Sequence, residues 1–263
     1  MVKTIAFLGT LVAAVFASVG AYAVPVPLAL KPCGTFFVAE AVSGDELLAP
    51  DGSRLVLSSV KAPEIWQQGD QYRSWPHSEA SRSTLDALVR GQNLALFCEG
   101  EDQTLDDHKI AHALTGNGHW LQHELVSRGS VLVLPRADHS AGLDSLLAAE
   151  GIARTNRTGL WSALDLEKAA EDEIPTGRLA IVSGQVLNAA RVGNRIFLNF
   201  GQDWRTDFTV EIPARAIRLF EKSGLNPMDL AQAQVEVRGW VTWRGGPLMR
   251  LEGPGQLQVF GRE

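Results

Sequence analysis

The chain has 263 residues with 24 Lys+Arg against 30 Asp+Glu, 45% hydrophobic residues and 2 Cys, which excludes a disordered tail, a multi-span membrane protein and a disulfide-stapled miniprotein. A formal net charge of −6 excludes a nucleic-acid coat that works by bulk positive charge, so any anion binding must come from local charge. One large globular domain or two small ones remain.

The first element is a targeting segment. Lys3 supplies a positive start, residues 5–19 are apolar and uncharged, and Ala21-Tyr22-Ala23 has the small-x-small form that a signal peptidase cuts. The apolar run falls short of the roughly 20 residues needed to span a bilayer, so cleavage is expected over retention as an anchor. Residues 1–23 are therefore read as a signal peptide, the mature chain as starting near Val24, and the protein as exported to the periplasm or medium. In an oxidising compartment Cys33 and Cys98 become a credible disulfide pair.

Next come strands over 36–42 and 46–48, a turn at Asp51-Gly52, and a strand over 54–57. Ser78 starts a segment with Ala80, Leu85, Leu88 and Val89 on one face that ends at Gly91, which predicts a helix. Residues 93–98 alternate as a fourth strand, and 109–114, turned by 115–118, make a fifth. Helices are expected over 120–128 and 145–158. The order of three strands, a helix and two strands is that of the OB barrel, a small Greek-key barrel. In such a barrel the first strand pairs antiparallel with the fourth, which brings Cys33 and Cys98 to neighbouring ends.

Charge then divides the chain. Residues 24–163 hold 11 basic and 17 acidic residues, 164–176 hold 1 and 5, and 177–263 hold 11 and 8. The acidic stretch 167–173, followed by Pro175 and Gly177, reads as a frayed helix end and linker. Units are thus expected at 34–165 and 177–263, joined by an acidic linker at 166–176. Strands over 179–187, 195–200 and 207–212, a helix from Pro213 through Ala216, Ile217 and Phe220 to Gly224, and strands over 235–243 and 248–251 with a tail at 256–260 repeat the same order. The expected class is mainly β with helices (α+β), an OB-type five-stranded barrel followed by a second OB-like barrel.

Several short motifs in the first unit share one order and spacing: Val42-Ser-Gly-Asp45; Asp51-Gly52 followed by Val60-Lys-Ala-Pro-Glu64; Ser78-Glu-Ala80; the stretch from His119 to Gly129; and Glu150-Gly-Ile-Ala-Arg154 leading to Gly159-Leu-Trp161. Together they resemble the thermonuclease, or staphylococcal-nuclease-like, family over about residues 36–162. The resemblance implies phosphodiester hydrolysis with calcium: two aspartates and a carbonyl hold the cation, a glutamate serves the attacking water, and two arginines stabilise charge on the phosphate. Asp45 matches the first aspartate and Glu64 the base. The second aspartate position holds Lys61 and the carbonyl position Ala62. The first arginine position holds Val56, with Arg54 two residues away on the same face of the strand. The second holds His108, or Lys109 if one residue is deleted, and neither has the bidentate guanidinium fork. A Lys61 ammonium beside Asp45 and Glu64 takes the charge role of the cation, leaving Asp45 as at most a weak metal ligand. In a purely structural alternative, Asp45 caps its hairpin and Glu64 anchors its loop. His108, His112, His119 and His123 lack a zinc-site spacing, and Trp161 is expected as a core residue.

The stretch 198–208 and Arg238-Gly-Trp240 resemble a C-terminal module of some secreted members. Phe197, Trp204, Arg205, Trp240, Trp243 and Arg244 offer stacking surfaces and cations, and with Arg54 and Lys109 they form the candidate nucleic-acid-binding set. The expectation is an exported pseudoenzyme, thermonuclease-like but with a degraded site, that needs no cofactor and meets single-stranded nucleic acid through its second unit. Two alternatives stay open: a working calcium-dependent nuclease on DNA or RNA, and an envelope protein that binds another protein.

Overall fold

The computed structural model describes residues 26–27, 29–68, 71–74, 77–99, 103–105, 108–137, 139–170, 173–203 and 205–262. The signal peptide reading and Trp204 lie outside the described residues. The first unit runs β1 (Lys31–Phe37), β2 (Glu40–Ala41), β3 (Glu46–Leu48), β4 (Arg54–Leu57), β5 (Val60–Lys61), β6 (Ile65–Gln68), β7 (Gln71–Ser74), α1 (Ser78–Val89), β8 (Asn93–Cys98), β9 (Gln103–Leu105), β10 (His108–Leu114), α2 (Leu121–Ser127), β11 (Leu132–Val133) and α3 (Leu143–Thr155). Its main sheet has the order β1-β8-β10-β4-β3-β2. The first and last members, β1 and β2, are halves of one segment: its start pairs antiparallel with β8 and its end with β3, while β10 lies parallel to β4. The sheet therefore curls back on itself.

Local causes are plain in the sequence. Along β8, Leu94, Leu96 and Cys98 are buried at the two-residue period of a strand. Ser81, Leu85 and Val89 give α1 one buried stripe at four-residue spacing. Gly52, at φ 87°, makes the turn after β3, and the Asp51 carboxylate accepts the Ser53 N–H at 2.9 Å. α2 is locked onto β10 by Gln122, whose amide accepts from the Ala113 N–H at 3.1 Å and donates to the Ala111 carbonyl at 3.0 Å. The Cys33–Cys98 disulfide forms as expected, with Cα atoms 5.8 Å apart. Cys33 occupies a register break between Pro32 and Gly34, opposite the end of β8.

The second unit comprises β12 (Glu167–Lys168), β13 (Arg178–Gln185), β14 (Asn188–Val192), β15 (Arg195–Asn199), β16 (Thr209–Ile212), α4 (Ala214–Lys222), β17 (Ala233–Trp243), β18 (Pro247–Arg250) and β19 (Leu257–Arg262). Its sheet order is β12-β13-β17-β18-β16-β15-β14, with β19 on the other side of β17. The path repeats that of the first unit. One segment pairs with β17 through β13 and with β15 through β14, and β16 lies parallel to β18. Each unit has its own apolar core.

One expectation needs correction. The acidic stretch is no helix end: Glu167 and Lys168 run parallel to β13, and Arg178 bonds Glu167. Leu164 and Leu166 explain the extended path, because they pack on a third cluster of Leu132, Ala153, Leu160, Trp161, Leu179 and Ile181 that is shared by both units. The hairpin β6–β7 was also not foreseen.

Candidate functional site

The structure brings Asp45, Lys61 and Glu64 together. Asp45 is only 2% exposed and is held by its own hairpin: Ser43 Oγ donates to Oδ1 at 2.7 Å, and the Asp45 carbonyl accepts the Leu57 N–H at 2.8 Å. Gly44 is required there, because a Cβ would stand 1.9 Å from Ser81 Oγ on α1 and 2.8 Å from the Ala62 methyl. Lys61 is positioned by β5, which pairs with β11 in the register Lys61 to Leu132. Its Nζ lies 3.1 Å from Asp45 Oδ2 and also bonds Glu64 Oε1. Burial opposes the charge on Lys61, but the Asp45 and Glu64 carboxylates outweigh it and raise the ammonium above the ordinary lysine value. The group is a compact acid–ammonium–acid cluster whose central cation is the protein's own.

The other expected residues stand around it differently. Val56 pairs with Glu46 on one side and Ile110 on the other. Arg54 reaches back to Glu46 at 2.7 Å, and His108 Nδ1 approaches the same carboxylate at 4.0 Å. Lys109 is turned elsewhere, donating to the Cys33 carbonyl at 2.7 Å. Calcium asks for several oxygen ligands, and here the nearly buried Asp45 carboxylate and the half-buried Glu64 carboxylate already share an ammonium. The residues present do not fit that ion. Among the described residues no three His, Cys, Asp or Glu side chains gather as a metal-holding group. Of the histidines, His112 is buried and its Nδ1 accepts the Trp120 indole N–H at 3.2 Å.

In the second unit the exposed face of the sheet carries the other candidates. Trp240 is 46% and Trp243 65% exposed, and Trp161 is buried as expected, with the Arg154 guanidinium over its ring. The Arg205 carbonyl is close to Gly246, in the turn that follows Arg244. Arg195 lies over the Phe197 ring at 5.8 Å. Sequence reasoning missed Glu211. Its carboxylate is nearly buried and is approached by Arg195 at 3.7 Å and by Arg244 and Arg250 at 3.8 Å each. A glutamate at an alternating outward position of a strand, flanked by arginines on neighbouring strands, was the available signal, but only the pairing shows that they meet.

It also missed the junction. Arg238, 1% exposed, donates to the Val133 carbonyl at 2.9 Å, to Glu150 at 2.8 Å and to Glu236 at 2.6 Å. Arg154 completes the set, bonding Glu236 at 2.7 Å and Glu150 at 3.0 Å. No protein-family model matches the chain and no curated protein matches it, so the likeness to thermonucleases rests on the motifs above.

Proposed function

We propose that this chain is an exported, non-catalytic thermonuclease-like protein built of two OB-type barrels, whose second barrel binds nucleic acid. The OB reading is supported by the strand path, in which one bent segment pairs with both the second and fourth strands and the third lies parallel to the fifth. Export is supported by the disulfide.

The observation that carries the non-catalytic reading is the Lys61 ammonium bonded to both Asp45 and Glu64. A carboxylate ion-paired in this way is a poor water activator, and replacing a ligand aspartate by lysine swings the local charge by two units against a divalent cation. Two transition-state arginine positions are also altered, and each lost donor of that kind typically costs about 10²–10³ in rate.

The test is turnover of single-stranded DNA and RNA by wild type and by Glu64→Gln, with calcium and then with chelator. No calcium-dependent cleavage is expected from either. Robust cleavage that needs both calcium and Glu64 would establish the nuclease instead.

A further inference from the structure

We infer that the groove between the two units is a composite site for single-stranded nucleic acid, with one wall supplied by the first unit; this rests on the binding reading above and gives it a location. The groove encloses about 1040 Å³. Its first-unit wall is the stretch 134–137 that follows β11, and its floor and opposite wall come from α4, β16, β17 and β18, including Trp240 and Trp243.

Charge selects the ligand. Arg136, Arg215, Arg244 and Arg250 line the groove against Glu211 and Glu252. Glu211 is approached by Arg244 and Arg250, Glu252 is bonded by Arg250 and Arg215, and Arg195, beside the groove, also approaches Glu211. Two carboxylates cannot neutralise these four guanidinium groups, so the groove keeps a positive excess suited to phosphates. The two exposed indoles supply stacking surfaces, and a base can stack on them only when it is unpaired. Arginine beside tryptophan in one recess is therefore matched to a single strand better than to a duplex.

The first-unit wall is held at both ends. Val133, directly before it, is gripped by Arg238, and Ala137 lies so close to Gly253 that a Cβ there would stand 1.9 Å from the Ala137 carbonyl oxygen. The same β11 pairs with β5, which carries Lys61. The Lys61 cluster and the groove wall thus share one strand ladder, and a barrel without catalysis still has a task as scaffold. A wall fixed before binding avoids the ordering cost of forming one.

The test is fluorescence anisotropy of the full chain with a labelled oligothymidylate of about 20 nucleotides across a salt series. Trp240→Ala and Trp243→Ala should each weaken binding about ten-fold and leave the salt slope unchanged. Arg244→Gln with Arg250→Gln should reduce the slope by about 1.4, the loss of two single-strand phosphate contacts. Ala137→Glu, in the first-unit wall, should also weaken binding several-fold, while Arg191→Gln on β14 should not. Circular dichroism melts of each variant control for folding. If wild type binds and the groove variants bind equally well, the groove is overturned and the binding reading stands. If wild type fails to bind at low salt, the binding reading falls and the groove with it. Equal competition by dextran sulfate, together with no effect of the tryptophan variants, would overturn a single strand in favour of an anionic glycan.

Discussion

His112 shows how one buried side chain sets a pH limit. Its Nδ1 accepts the Trp120 N–H, so in the neutral ring the proton is on Nε2. A second proton would have to go on Nδ1, facing a donor. Burial, with a smaller push from the neighbouring His139, lowers its pKa from 6.5 to about 4. The unfolded chain takes up this proton as pH falls below about 6.5, and the folded one does so only near 4, so stability is lost across that window. The loss attributable to His112 is about 3 kcal/mol between pH 7.5 and pH 4. Urea unfolding of wild type and His112→Gln at both values checks this; an equal loss in the two proteins would refute it. Lys61 makes the complementary point. The sequence placed it near Asp45 and Glu64 only by resemblance, and that it bonds two carboxylates at once depends on a hairpin held by Gly44 and on the β5–β11 pairing.

At the scale of the element, β1 is a strand held from one side only. It is mostly exposed, ends the sheet and is paired only to β8. The Cys33–Cys98 bond fastens its free end across a sequence separation of 65. In the chain-entropy account a cross-link of that span stabilises by about 4 kcal/mol. The double variant Cys33→Ser, Cys98→Ser should lose about 2–4 kcal/mol and show faster amide exchange in β1 than in β10. Unchanged stability, with β1 still protected, would show that pairing to β8 suffices. Strand and helix periodicities were legible here: the alternation of β8 and the stripe of α1 are local properties of the chain. The path of 164–170 was not, because it follows from Leu164 and Leu166 packing on a cluster drawn from both units.

Across the whole molecule, the two units are joined by buried charge as well as apolar contact. Glu150, Arg154, Glu236 and Arg238 form one alternating network at the junction. Burial pushes Glu236 up, but its bonds from Arg154 and the charge of Arg238 outweigh this and hold its carboxyl below the usual range. The stabilisation it supplies is present above about pH 4.5 and is lost as pH falls through the lowered value. Removing Arg238 leaves two buried carboxylates to share the Arg154 guanidinium, and an uncompensated buried charge typically costs about 3–5 kcal/mol. Arg238→Met should destabilise by that amount and split a single urea transition into two, because the units no longer support each other. A single transition at the wild-type midpoint would refute the coupling.

The sequence by itself determined the periodicities of β8 and α1, the turn at Asp51-Gly52 and the pairing of the two cysteines. These are properties of residue type and short spacing, and they act wherever the chain goes. Only the tertiary structure decided that Glu211 meets three arginines, that Arg238 grips Val133 across a separation of 105 residues, and that a groove opens between the units. Those depend on which strands become neighbours, and strand neighbours are selected by the packing of whole sheets rather than by any local signal.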